Sequence, residues 1–369
     1  MKKQDNRQFI ISELTKKYKL CEFCLSRLTL KKPHLKSKIT CFICKNIFQR
    51  TDEMVSRITQ KLSSYQFSTF ELGIILKSSL SDRDDHVKSE FQIIGTNSIK
   101  AGINHELAKK LSRKTNAILK HKNPDIIIKI NFKDDSFEII SKPIFIYGRY
   151  KKKSRELVQK QNSCKQCSGN GCHTCNFFGL HDFSSVEGQI KKFLLHKFDS
   201  KQIKINWIGG EEKSSLVLGT GRPFFVKIIN PKKRQKTLRS KIKLEGIELS
   251  ELRKISEQPK GEIHFKSKIE ILTKTENSIN VNSLNVLKKL QVEPIKILNH
   301  GKKNTIKQIY DVKFKKISSK LFKVFLYADG GIPIKSLVQN STVIPNFSNL
   351  LQNKCECIQF DFKKIDVVS

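Results

Sequence analysis

Negative charge is scarce in this sequence. Thirty-four Asp and Glu stand against 71 Lys and Arg, a formal net charge of +37 on 369 residues, with a pI near 9.9. The natural partner of such a chain is a polyanion, because each phosphate it neutralises releases condensed counterions. Long apolar runs are also missing, so no segment is suited to span a bilayer, and no membrane partner is expected. The opening MKKQDNRQF lacks the apolar core of a signal peptide. The ten cysteines are not scattered as in a secreted disulfide framework. They fall in close pairs, 21/24, 41/44, 164/167, 172/175 and 355/357, which points to a reducing, cytoplasmic setting. No fixed-period repeat stands out. No Gly-Lys-Ser/Thr follows Gly219-Thr220-Gly221, which excludes a phosphate loop there.

Length and a hydrophobic content of 38% suit two or three folded domains. Ile10, Ile11, Leu14 and Leu20 form a helical stripe leading into the first cysteine pair. Beyond residue 50 the pattern predicts a helix over Met54–Leu62, strands at FELGIIL and FQIIG, and a Lys-rich helix over Ala101–Leu119. PDIIIKINF and SFEIISKPIFIYGRY read as two strands around Lys133-Asp134-Asp135. A Cys/Gly-rich connector follows. From residue 184 onward, VEGQIKKFLLHKF and SLNVLKKL read as helices between the strand-like runs SSLVL, FFVKII, FKVFLYA and CIQFDF. The fold class expected is α+β, with segments 1–50, 51–155, 156–183 and 184–369.

Cys21-Glu-Phe-Cys24 and Cys41-Phe-Ile-Cys44 are two CxxC knuckles on either side of a basic loop. Four thiolates can close tetrahedrally on one structural zinc, leaving no open position for catalysis. A segment this small has little core of its own, so the metal would supply much of its folding free energy. Cys164, Cys167, Cys172 and Cys175 form a tighter CxxC-x4-CxxC, with Gly169 and Gly171 permitting a reversal. They possess the donors for a second zinc, or for a site shared with another element. Cys355 and Cys357 alternate on a strand and read as core or surface residues rather than ligands.

Gly148-Arg149-Tyr150-Lys151, the CxxC-x4-CxxC element, Ser185-Val186-Glu187-Gly188 and Leu218-Gly219-Thr220-Gly221-Arg222-Pro223-Phe224 occur in this order. Together they resemble archaeal tRNA pseudouridine synthases of the TψC loop (uridine 54/55). The opening Leu20-Cys21-Glu22-Phe23-Cys24-Leu25 is similar to that family's N-terminus, and the module after residue 50 resembles a THUMP RNA-binding domain. The resemblance implies a zinc-binding and THUMP-like N-terminal part. A pseudouridine-synthase-type mixed α/β catalytic domain with a central, mainly antiparallel sheet would follow. It implies a monomer that acts on tRNA without an organic cofactor. A carboxylate attacks the uridine or takes a ribose proton, the glycosidic bond breaks, and the turned base rejoins through carbon. A nearby Tyr and a basic residue assist, and the base must leave its stack.

The family's loop Gly-Arg-Glu-Asp-x-Asp reads here Gly209-Gly210-Glu211-Glu212-Lys213-Ser214. The resemblance therefore places the catalytic carboxylate on Glu212, one methylene longer than Asp. Its preceding Arg falls on Gly210. The family's aromatic-bearing strand maps near Phe265–Leu272, where no Tyr stands. The family's Thr-Pro-x-Arg-x-x-His-Arg-Arg maps onto Glu293–Gly301, where Lys296 keeps the charge and Lys302 and Lys303 follow. Tyr-Ile-Lys-Glu becomes Pro333-Ile334-Lys335-Ser336, and the Gly-Asp-x-Gly-Arg-Thr after it becomes Gln339-Asn340-Ser341-Thr342. Arg222, Lys296, Lys335, Arg149 and Lys151 are the RNA-binding candidates. For Arg222 the alternative is a structural role beside a Gly-built turn. At the level of function the alternatives are a tRNA-binding protein on the same fold without chemistry, and an unrelated zinc-stapled RNA-binding factor.

Overall fold

The computed structural model describes residues 2–29, 40–169, 171–176, 178–200, 202–299, 303–339 and 342–368, with side chains from Ile10 onward. The basic loop at 30–39, Asn170, His300, Gly301, Lys302, Asn340 and Ser341 lie outside the described residues. The chain divides into two compact units. One holds residues 1–142 together with 230–235, and the other holds 143–229 and 236–369.

The first unit runs α1 (Lys2–Lys17), α2 (Glu22–Thr29), α3 (Ile47–Leu62), β1 (Thr69–Ile75), α4 (Ser78–Glu90), α5 (Ile99–Thr115), β2 (Ile118–Leu119), β3 (Ile126–Asn131) and β4 (Ser136–Ser141). Its sheet has the order β2-β1-β3-β4, with β1 parallel to both neighbours and β4 antiparallel. Period-two alternation turns Phe70, Leu72 and Ile74 inward from β1 and Ile126, Ile128 and Ile130 from β3. They share one core with Val55 and Ile58 of α3 and Ile103 and Leu107 of α5. Each such side chain contributes about 1.5–3 kcal/mol when fully buried. The Ser98 hydroxyl caps α5 by accepting from the Ala101 N–H at 3.2 Å. That helix stops at Thr115 rather than Leu119 because Asn116 turns left-handed (φ 55°) and ends it. FQIIG is not a strand, since Gln92 and Gly95 both have positive φ and Ile94 is almost wholly exposed.

The second unit contains β5 (Ile144–Lys152), α6 (Val186–Phe198), β6 (Gln202–Trp207), β7 (Leu216–Ile229), β8 (Lys241–Lys243), β9 (Ile247–Ile255) and β10 (Phe265–Thr275). Then come β11 (Ile295–Ile297), β12 (Thr305–Lys307), β13 (Ile309–Lys316), β14 (Leu321–Asp329), α7 (Ile334–Gln339), β15 (Val343–Ile344), α8 (Phe347–Leu351) and β16 (Cys355–Val367). SLNVLKKL is helical but of the 3-10 type, Ser283–Gln291. Nine strands form the sheet β13-β14-β10-β16-β7-β5-β9-β8, with β6 also on β7. Every pairing in it is antiparallel except β16 with β7. This is the α+β architecture with a central, mainly antiparallel sheet that the sequence led us to expect. Val186, Ile190 and Leu194 of α6 share its single core with inward residues of the sheet and of α7 and α8.

Two further features differ from the sequence reading. SFEIISKPIFIYGRY is split, because Pro143 offers no N–H to continue the ladder. β4 then pairs in the four-stranded sheet, while β5 joins the nine-stranded one. SSLVL and FFVKII belong to one strand, β7. Its first residues pair with β16 and its last with β6, so Gly219-Thr220-Gly221 lies in the seam between the two partners. A Cβ on Gly219 would stand 1.9 Å from the Lys363 carbonyl oxygen, at φ 54°, so the close strand approach requires glycine.

Candidate active site

The loop from Ile208 to Ser215 joins β6 to β7 and is held from beneath. Gly209 opens it at φ 68°, and a Cβ there would meet the Phe265 ring at 2.4 Å. Arg222, wholly buried on β7, donates to the carbonyls of Ile208 (2.8 Å) and Gly210 (3.0 Å). Its Nε lies 2.7 Å from Glu211 Oε2, both side chains being fully enclosed, and its guanidinium sits 4.4 Å over the Phe362 ring. The Tyr150 hydroxyl lies 2.7 Å from each Glu211 carboxylate oxygen, and Gln159 donates to that hydroxyl at 2.8 Å. Burial first, and Glu211 second, push the Tyr150 phenol well above its usual range, so it remains a donor.

A second clamp grips the far half of the loop. Buried Lys152 donates to the carbonyls of Leu157 (2.7 Å), Glu212 (2.9 Å) and Lys213 (3.0 Å). The Ser215 hydroxyl donates to the Glu212 carbonyl at 3.0 Å. Arg155 pairs with Asp361 at 2.8 Å and donates to the Ser214 carbonyl. Out of this fixed backbone the Glu212 side chain projects toward solvent and meets Lys335 Nζ at 2.6 Å, each about half exposed. That hydrogen bond is the main reason the Lys335 ammonium is held above its ordinary pKa. The Cys357 thiol, pushed up to about 11 chiefly by burial, feels both charges. Phe265, at the start of β10, packs its ring against Gly209 and Gly330.

The structure thus brings Glu212 and Lys335 together. Arg222 is placed under the loop, where it holds backbone and Glu211 and has no exposed surface for a phosphate. Arg149 is nearly as enclosed, donating to the carbonyls of Gly221 (2.8 Å) and Ile365 (2.9 Å), which makes it a strand clamp. Lys151 lines a cleft of about 580 Å³ with Thr220, Leu238, Lys241 and Arg253. Lys296 is exposed on the small sheet β12-β11-β15. The sequence reading missed Glu211, Tyr150, Gln159 and Lys152. It also missed Phe265, because it looked for a Tyr; an aromatic at the head of β10 was the signal available.

Two further clusters could hold metal ions. Sγ atoms of Cys21, Cys24, Cys41 and Cys44 all lie within 4.8 Å of one another, as do those of Cys164, Cys167, Cys172 and Cys175. A tetrahedral ion with ~2.3 Å bonds to sulfur requires S–S edges of ~3.8 Å. The Sγ–Sγ separations are 3.5 Å for Cys21–Cys44, 3.9 Å for Cys164–Cys172, and 3.8 Å for Cys167–Cys175 and Cys172–Cys175. Cys24, Cys41 and Cys44 are fully buried, while Cys167, Cys172 and Cys175 are half-buried. The Cys172 N–H donating to Cys175 is the largest influence holding that thiol down at about 6. Cys355 and Cys357 are buried on β16 and stand outside both clusters.

Among known proteins, the family described as Pus10, C-terminal, matches residues 145–366, and the archaeal Pus10 THUMP domain matches residues 54–131. A protein named tRNA pseudouridine synthase Pus10 from Nitrosopumilus maritimus is 38% identical, covering 97% of this chain and 97% of that protein. One of the same name from Cenarchaeum symbiosum is 31% identical over 89% of this chain and 81% of its own length. A solved Cbf5-Nop10-Gar1 complex aligns at 8% identity and a TM-score of 0.30 over 47% of this chain and 43% of that one, too low to add weight. With a family match over most of the second unit and relatives similar from end to end, this chain belongs to the Pus10 family.

Proposed function

We propose that this protein is a tRNA pseudouridine synthase acting on the TψC loop at positions 54/55, with Glu212 as the catalytic carboxylate. The observation that supports it is Glu212 itself, projected from a loop pinned on both sides, 2.6 Å from Lys335. A catalytic group needs placing to within about 0.5 Å, and this loop is tied at five successive residues, Gly210 to Ser214, through a carbonyl or a side chain. The longer Glu side chain would move the oxygens by about an ångström relative to Asp, an offset that can cost about 100-fold unless the site compensates. Here Lys335 meets the carboxylate where the longer side chain puts it. The carboxylate attacks the uridine or takes a ribose proton, the C1′–N1 bond breaks, and the turned base bonds C1′ through C5. The C5 proton leaves as N1 gains one, and the carboxylate is released or returns its proton, so the product is an isomer. Phe265 offers the aromatic wall for the flipped base, and Lys335 stands beside the developing charge.

Residues 1–50 would be a zinc-stapled segment sharing one core with the THUMP-like module, which ends at residue 142 and not 155, because β5 joins the large sheet. The catalytic domain would take in 143–229 and 236–369, the cysteine-rich stretch 156–183 included. Both cysteine clusters have donors suited to structural Zn2+, which would staple the chain and take no part in the reaction. Lys296 and Lys151, both on the second unit, would meet tRNA phosphates, and the protein would work as a cytoplasmic monomer. Among the described residues no helix is long and apolar enough to cross a membrane.

The test is pseudouridine mapping on an unmodified tRNA transcript, run beside Glu212→Ala. Pseudouridine in the TψC loop that vanishes in the variant is expected. Tight, salt-sensitive tRNA binding with no conversion by either protein would overturn the catalytic assignment and leave a binding protein on this fold.

A further inference from the structure

Two carboxylates stand side by side in the loop, and the fold treats them oppositely. Glu212 is about 40% exposed, whereas the Glu211 side chain is entirely enclosed and ion-paired with an equally enclosed Arg222. Enclosing both charges is costly, and their attraction offsets the cost only when the geometry is good and the remaining polar atoms are bonded. That condition is met but for one atom. Glu211 accepts from Tyr150, Tyr150 accepts from Gln159, and Arg222 donates to two carbonyls of the same loop, while its Nε stands 2.7 Å from Glu211 as an ion pair without hydrogen-bond alignment. Stability alone does not call for such a construction, because apolar residues of similar volume serve as well or better. The loop nevertheless opens with two glycines, which by themselves leave its direction free. The Glu211 side chain turns inward to Arg222 while that of its neighbour Glu212 reaches outward to Lys335, so the anchor on one bears directly on the direction of the other.

We propose that Glu211 is a positioning residue, anchored by Arg222 and Tyr150, which aims the neighbouring Glu212 at Lys335. The ion pair holds the end of the loop where Gly209 and Gly210 have no side chain to hold it. It also neutralises the second carboxylate, so that Glu212 faces a cation and not a neighbouring free anion. The kinetic part of this proposal rests on the reading of Glu212 as the catalytic group; the structural part does not.

The experiment compares Glu211→Gln with wild type in two readouts. Gln keeps the size and the acceptor for Tyr150 while removing the charge that Arg222 holds. Single-turnover conversion of the tRNA transcript is expected to slow by roughly 10- to 100-fold, with tRNA affinity changed less than about two-fold. Amide exchange of residues 208–215 is expected to quicken by about ten-fold or more in the folded protein. Tyr150→Phe, which leaves the ion pair intact, should show the same pattern at smaller amplitude, and serves if Glu211→Gln does not fold. Unchanged exchange in this loop overturns the proposal, as does an unchanged rate in a variant of an active wild type. If wild type makes no pseudouridine, the catalytic reading fails, and the exchange arm alone decides whether Glu211 orders the loop.

Discussion

Stripping metal from the first cysteine cluster should unfold the first unit and leave the second unit's sheet folded. Cys24, Cys41 and Cys44 are wholly buried and belong to the same core as Leu25, Leu28, Ile43, Ile47 and Phe48. Structural zinc sites contribute about 10–16 kcal/mol to folding in small metal-bound peptides, while a whole domain is typically stable by only about 5–15 kcal/mol. Loss of the ion also frees α2, and with it the buried Leu25 and Leu28, at about 1.5–3 kcal/mol each. The sum matches or exceeds the margin of the unit, so partial fraying is not the expected outcome. The assay is amide exchange read by mass spectrometry during titration with a strong chelator, with released zinc counted in parallel. Protection should vanish together in α2, β1 and β3, while β10 and β16 keep theirs. At the second cluster, which is half-buried, the loss should stay within residues 163–180. Stoichiometric metal release with α2 still protected would refute the reasoning, as would a metal-free protein whose α2 is already protected.

Two further changes probe the second unit. Arg222→Met strands the enclosed Glu211 carboxylate and should cost about 3–5 kcal/mol in urea unfolding, whereas Arg222→Met combined with Glu211→Leu should recover most of that loss. A double variant as unstable as the single would show that the guanidinium's bonds to the loop matter more than the charge. Glu270, largely buried, sits between Lys323 (2.8 Å) and Lys363 (3.0 Å), and the Lys323 bond is the first cause of its lowered pKa. A depressed carboxylate contributes stability above its ordinary value of 4.5 that is lost as pH falls through the folded value. Glu270→Gln should therefore lower the urea midpoint by an amount equivalent to about 1 kcal/mol at pH 7 and by little near pH 3. An equal loss at both pH values would remove the ionic explanation.

Much of this was legible because it is local in sequence. The CxxC pairs announce themselves by spacing and α6 by its helical stripe, while Glu212 was marked only by the resemblance of its loop to that of a known family. What stayed hidden depends on contacts between residues far apart along the chain. Tyr150 reaches Glu211 across 61 positions and Arg155 reaches Asp361 across 206. Nothing in the local pattern distinguishes Glu211 from Glu212, since only the fold decides which one points inward. The reading of Arg149 and Arg222 as RNA contacts followed from their charge and their place in family-like motifs, with a structural role for Arg222 as the alternative. Their burial under backbone carbonyls shows that a strongly basic chain also spends arginines on its own loops and strands.

After β7 the chain leaves the second unit for six residues. Asn230 accepts from the Ser141 N–H at 2.9 Å, the Lys232 carbonyl accepts from the Gln66 N–H at 2.7 Å, and Arg234 pairs with Asp125 at 3.3 Å. The first unit is therefore unfinished when residue 142 emerges during synthesis. It has to wait for nearly a hundred more residues, among them the catalytic loop and the strand that follows it, before its last piece arrives. Assembly order and sequence order are crossed, so the first unit cannot close before the catalytic loop and β7 of the second unit have been made.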